Sequence, residues 1–189
     1  MILDIVKYGH PVLRQKGARV ESINAEIKTL AADMLETMHA NKGVGLAAQQ
    51  IGRALQLTVL DVSDVKERPS WLELDGKPAE INDFMPLILI NPEIKPLGEV
   101  VVGSEGCLSF PEIFGDIPRP ESVDVKALNE KGKPVEFRCG GLLARAIQHE
   151  VDHLNGILFI DRMDKATKAE LRPQLDALQA ATKAELQKK

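Results

Sequence analysis

The stretch SVDVKALNEKGKPVEFRCGGLLARAIQHEVDHLNG, residues 122–156, decides how this chain is read. Residues 122–129 place Val123, Val125 and Ala127 at alternate positions, the period of a half-buried strand. NEKGKP then turns the chain and PVEFR (134–138) returns it, which predicts an antiparallel hairpin. Beyond it the period changes. From Gly140 to Asn155 the apolar residues Leu142, Leu143, Ala146, Ile147 and Leu154 follow helical spacing. This helix carries His149-Glu150-Val151-Asp152-His153. Histidines four apart stand on one face, ~6 Å apart along the axis, so both imidazoles reach a single metal ion. Glu150 between them approaches a water at that metal without having to be a ligand.

Working outward, Ile27, Leu30, Met34 and Met38 predict a surface helix from Asn24, its cap, to about Asn41, with Gly43 as the stop. GVGLAAQQIG (43–52) suits neither strand nor helix. LQLTVLDV (55–62), LILINP (87–92) and EVVVG (99–103) read as strands. The polar 63–86 segment, with Pro69, Gly76, Pro78 and Pro86, reads as a long loop or a loop carrying a small hairpin. Past residue 164 the composition is helical, but Pro173 removes a backbone donor and should break that helix or start a fresh one. The fold class expected is α+β: short antiparallel sheets around a central metal-binding helix, with a C-terminal helical tail. The division expected is a catalytic body, 1–164, with an appended basic tail, 165–189.

The bulk numbers fit one soluble domain. The chain has 189 residues, 44% apolar and 28% charged. A chain of this size buries roughly 70% of its unfolded surface and needs no disulfide staples. Nothing approaches a membrane span, and Asp4 and Lys7 interrupt any secretory signal. Two cysteines, Cys107 and Cys139, suit a reducing compartment, so the expected location is the cytoplasm. The net charge of −4 argues against a general nucleic-acid binder, and no specific DNA binding is expected. The charge is uneven: the tail balances at +3 and the body at −7. The tail is either a contact surface for something anionic or a solvated helix whose lysines complement its dipole.

A catalytic site built on two histidines needs a third protein ligand and an open position for water. Downstream, Phe159 stands where a third histidine would serve. Glu170 lies in a Lys-rich segment, and Asp161 and Asp164 fit no ligand pattern. Upstream, Cys107 in SEGCLSFP is the best candidate, following the strand at 99–103. Cys139, at the end of a hairpin strand, reads as core.

GVGLAAQQ (43–50), EGCLS (105–109) and QHEVDHLNG (148–156) together resemble the three signature segments of the peptide deformylase family, in order. The resemblance extends to DIVKYGHPVLR (4–14) and LNEKGKPVEFRCGGLLARAIQHE (128–150). It implies an enzyme that removes the formyl group from the N-terminal formylmethionine of new bacterial or organellar polypeptides. By the same resemblance Cys107, His149 and His153 hold one divalent metal per chain, and Glu150 is the general base. Ferrous iron is the metal expected, with zinc, nickel or cobalt able to substitute. The Gln50 amide and the Leu108 backbone N–H are the implied oxyanion donors. The substrate is expected to lie like an added strand beside Gly45 and Gly106, where no side chain blocks it. Its methionine would enter a pocket at Val44, Leu142 and Ala146, with Arg145 at the rim. Glu105 and Arg119 are an implied ion pair that orients the Cys107 loop. The partners expected are formylmethionyl nascent peptides, and the ribosome through the basic tail.

The competing enzyme class is a zinc endopeptidase, which loses on the missing downstream ligand and the absent secretion signal. A non-catalytic peptide binder loses because Glu150, Gln50 and all three ligands are intact.

Overall fold

A computed structural model describes residues 1–189. In chain order the elements are α1 (Ala25–Ala40), β1 (Gly45–Ala47), β2 (Leu57–Leu60), β3 (Ser70–Leu74), β4 (Lys77–Ala79), α2 (Ile81–Phe84), β5 (Leu87–Cys107), β6 (Phe110–Leu128), β7 (Pro134–Gly141), α3 (Leu142–Leu154) and α4 (Lys165–Gln187). The seven strands form one antiparallel sheet in the order β1-β2-β5-β6-β7-β3-β4. The class is α+β, as expected from antiparallel strands and helices without regular strand–helix alternation.

The predicted hairpin is β6–β7, with Val123 opposite Cys139 and Val125 opposite Phe137. Its turn closes on Asn129, whose Oδ1 accepts from the Lys131 and Lys133 backbone N–H groups. The two short strands expected at 87–92 and 99–103 are parts of one bent strand, β5. Register shifts near Asn91 and Gly98 bend it, and such bulges hide a long strand from a period-two reading.

All thirteen residues of α3 are buried. Its apolar side packs into a fifteen-residue core with β2, β5, β6 and β7. A second core joins α1 to β1 and β2. A third joins the N-terminal segment, Phe110, Phe159 and α4. The metal-capable helix thus belongs to the first of these cores, packed against the sheet.

The 63–86 segment has a structural task that its composition conceals. Besides the β3–β4 hairpin, it caps α3: the Pro69 carbonyl accepts from Leu142 N and Ser70 Oγ accepts from Leu143 N. These satisfy two of the four orphan donors of a helix start. Gly141 sits at φ 70° there, and a Cβ on it would collide with the Pro69 carbonyl oxygen. Helix α3 therefore starts at Leu142, two residues later than the apolar pattern suggests.

Pro173 does not break the tail, which is one helix from Lys165 to Gln187. Leu171, Leu175, Leu178 and Thr182 form its stripe against the body, and Pro173 lies on the exposed face. There water can satisfy the carbonyl that Pro173 leaves without a donor, and packing on the opposite side holds the helix. Pro173→Ala should therefore stabilise the protein by about 1–3 kcal/mol. A denaturant titration checks this, and an unchanged or lower midpoint would mean that the helix already ends at the proline.

Candidate metal centre and active site

Strand β5 delivers Cys107, and one face of α3 delivers His149 and His153. Their ligand atoms all lie within 4.8 Å of one another, with Cys107 Sγ 3.3 Å from His153 Nε2. The competing candidates are engaged elsewhere. Asp161 pairs with Arg14, Asp164 caps α4, and Glu170 is exposed on α4. Cys139 is fully buried, and burial pushes its thiol up to about 12.

The support behind the ligands suits a metal. His149 Nδ1 donates to Glu105 Oε1 at 2.8 Å, which leaves the Nε2 lone pair for a cation. Burial opposes charge on His149, yet bonds with Cys107 and Glu105 push it up to about 10. The groups that favour a proton on this ring equally favour a metal cation. Burial, with the charge of His149, holds His153 well below the ordinary histidine range, so it is a neutral imidazole. One sulfur and two imidazole nitrogens are a donor set for iron or zinc.

The sequence matches the polypeptide deformylase family over residues 2–169. The chain belongs to that family. It is 49% identical to the peptide deformylase of Opitutus terrae over 186 residues, 97% of this chain and 96% of that one. Its structure superposes on a plant peptide deformylase with a TM-score of 0.84 at 35% identity, covering 97% of this chain and 92% of that one. A Synechococcus elongatus deformylase in complex with actinonin gives 0.77 at 41% identity, covering 93% and 85%. This chain is accordingly an enzyme of the deformylase class.

Within this deformylase, Glu105 is the centre of a buried charge network. Its carboxylate receives Arg119 Nε at 2.5 Å and Nη2 at 2.9 Å, and Arg145 Nη1 at 2.9 Å, besides His149. Burial would raise the Glu105 carboxyl, but the bonds from His149 and Arg119 outweigh it and hold it at about 2. Arg119 also reaches Asp152 at 2.9 Å, and Asp152 pairs with Arg162. Removing one member leaves an uncompensated buried charge, a loss of ~3–5 kcal/mol. Glu105→Gln should lower metal affinity about 10- to 100-fold, because the His149 ring loses its anionic acceptor. Competition with a chelator measures this, and unchanged affinity would remove Glu105 from the metal's support.

Arg145 is not at a rim. It is buried, and it also donates to the carbonyls of Ile117 at 2.8 Å and Val101 at 2.7 Å. Its partner Glu105 lies 40 residues away in the chain, so no local pattern marked it as buried. Asp152 pairs with Arg162 ten residues on and with Arg119 thirty-three residues back, spacings that no helix or strand period links.

A cleft of about 570 Å³ opens over the cluster of candidate ligands, lined by Val44, Gly45, Gly106 and Ala146 among others. Leu142 lies outside the lining, packed in the sheet-side core. Gln50 is buried beside the cluster, its Nε2 3.5 Å from Cys107 Sγ and 3.2 Å from Ser109 Oγ, while its Oε1 accepts from Ala47 N. The Leu108 N–H has no acceptor in the chain. The space left by the absent side chain at Gly45 is filled from within: a Cβ there would lie 2.7 Å from Glu150 Oε1. The ring of Phe114 lies over Gly106 in the same way. Gly45→Ala should therefore displace Glu150 and lower kcat about tenfold or more, leaving metal content unchanged. Wild-type turnover in that variant would show that Glu150 has slack.

Proposed function

We propose that the chain removes the N-formyl group from the N-terminal formylmethionine of newly synthesised polypeptides, releasing formate. One observation carries this reading. Glu150 is a buried carboxylate whose Oε2 has no hydrogen-bond partner, and it lies beside the three-ligand cluster at the floor of the cleft. Burial pushes Glu150 up to about 7, where a carboxyl both takes and gives a proton at neutral pH. An unpaired buried carboxylate weakens a fold, so its place here is explained by chemistry.

Cys107, His149 and His153 would hold the metal, with ferrous iron as the expected ion and zinc, nickel or cobalt as substitutes. When bound, such an ion supplies Lewis acidity and acidifies a water molecule. Glu150 takes the proton from the attacking water as its oxygen bonds to the formyl carbon. It returns that proton to the amine nitrogen as the carbon–nitrogen bond breaks. The Leu108 N–H, free of any internal acceptor, and Gln50 Nε2 donate to the oxyanion of the tetrahedral intermediate. Glu105, Arg119 and Arg145 hold the His149 ring and the Cys107 strand still during the step.

The cleft lies between two strand edges, β1 at the margin of the sheet and the 103–107 part of β5, which pairs only with β6. An extended peptide added there gains backbone hydrogen bonds with little dependence on its sequence. Val44 and Ala146 offer apolar surface for the methionine side chain. No helix is long and apolar enough to cross a membrane. We assign the enzyme to the bacterial cytoplasm. The exposed Lys165, Arg172 and Lys183 of α4, with Lys188 just past its end, suit contact with ribosomal RNA. The test is formate release from a formyl-Met peptide by anaerobically prepared protein, with metal analysis on the same sample. Metal-loaded protein that releases no formate would refute the reading.

A further inference from the structure

The mouth of the cleft has a charge opposite to that of the body. Residues 1–164 balance at −7, yet Lys7, Lys42 and Arg68 all line the cleft, and none has a carboxylate partner. Lys7 Nζ reaches the Leu108 carbonyl at 3.4 Å, and Arg68 Nη1 donates to the Ser104 carbonyl at 3.0 Å. Both neighbours are neutral oxygens, so neither cation is neutralised. Among the lining carboxylates, Glu105 is consumed by two arginines and a histidine, and Glu150 lies at the floor. Only Glu112 remains to oppose three cations at the mouth.

Arg68 belongs to the 63–86 segment and is anchored to the unpaired edge of β5 at Ser104, three residues before Cys107. A strand rises ~3.3 Å per residue. A peptide lying along this edge, its formyl carbon at the cluster, sets its first residue level with Gly106 and its third level with Ser104. The third side chain then meets the Arg68 guanidinium, with Lys42 and Lys7 adding to the field.

We propose that the cleft mouth selects acidic nascent peptides, with Arg68 reading a carboxylate on the third residue. This rests on the proposed reading of the cleft as the formyl-peptide site. The selection is electrostatic at an exposed position, so salt weakens it.

The test uses metal-loaded enzyme and three C-terminally amidated peptides, formyl-Met-Ala-Glu, formyl-Met-Ala-Gln and formyl-Met-Ala-Lys. The amide removes the terminal carboxylate, so only the side chain is compared. Expected is kcat/KM higher for Glu than for Lys by about five- to tenfold, mostly in KM, because attraction by an exposed charge is exchanged for repulsion. The ratio should shrink towards one in about 1 M salt, where the Debye length is ~3 Å. Arg68→Gln should narrow it, and Arg68→Glu should invert it. Equal kcat/KM for Glu and Lys peptides at low salt would overturn the proposal while the formate released upholds deformylation. A Glu preference unchanged in Arg68→Glu would overturn the assignment to Arg68. Release of formate from none of the three would refute the deformylase reading beneath it.

Discussion

Glu150→Ala should lower formate release by about 10²–10⁴-fold while the protein keeps its metal. The expected separation of turnover from metal binding follows from placement. Glu150 lies between the two histidines in sequence but offers no atom to the ligand cluster. Its Oε1 fills the space over Gly45, and its Oε2 is buried without a partner. The variant therefore loses a proton acceptor and no ligand. Formate assay and metal analysis on one sample decide the matter, and full activity in the variant would end the proposed mechanism.

The same residue links activity to stability. Its carboxyl is pushed from an ordinary 4.5 up to about 7 in the fold by burial. Between those values the folded chain holds a proton at Glu150 that the unfolded chain has released. Stability from this group is thus complete below pH 4.5 and is lost as pH rises through about 7. Glu150→Gln should remove that loss, leaving the metal-free variant more stable than wild type above pH 7 by about 1–3 kcal/mol. Identical urea midpoints at pH 5 and pH 8 for both proteins would contradict it.

Cys107→Ser should weaken metal binding by more than about 100-fold and abolish turnover with it. The thiolate is the one soft, anionic donor of the set, and Gln50 Nε2 and His153 Nε2 both converge on its sulfur. Serine keeps the shape but stays protonated and hard at neutral pH. Cys139 is no substitute, being buried in the sheet-side core with its thiol pushed up to about 12 by burial. Stoichiometric iron or zinc in the purified variant, at unchanged affinity, would show that the third ligand lies elsewhere.

How far the chain could be read from its residues depended on how local each signal was. The β6–β7 hairpin and α3 were legible because period two, a Gly-containing turn and period 3.6 are written within 35 consecutive residues. The two-histidine face was legible for the same reason. Strand β5 was not, because its bulges interrupt the alternation over twenty-one residues. The continuity of α4 through Pro173 was misjudged, since propensity is a local quantity and packing of Leu171, Leu175 and Leu178 overrides it. The missing side chain of Gly45 leaves room for Glu150, a contact between distant residues that no local pattern shows.

The sequence by itself determined the class of fold, the helix that presents His149 and His153, and the family. Each rests on residues whose spacing along the chain is the geometry itself. Only the tertiary structure decided that Arg145 is buried against Glu105, that the 63–86 segment caps the metal-capable helix, and that Arg68 stands at the cleft mouth. Those pairs are separated by 36 to 73 residues. Their meeting is fixed by how the sheet folds around α3, and no local pattern encodes it.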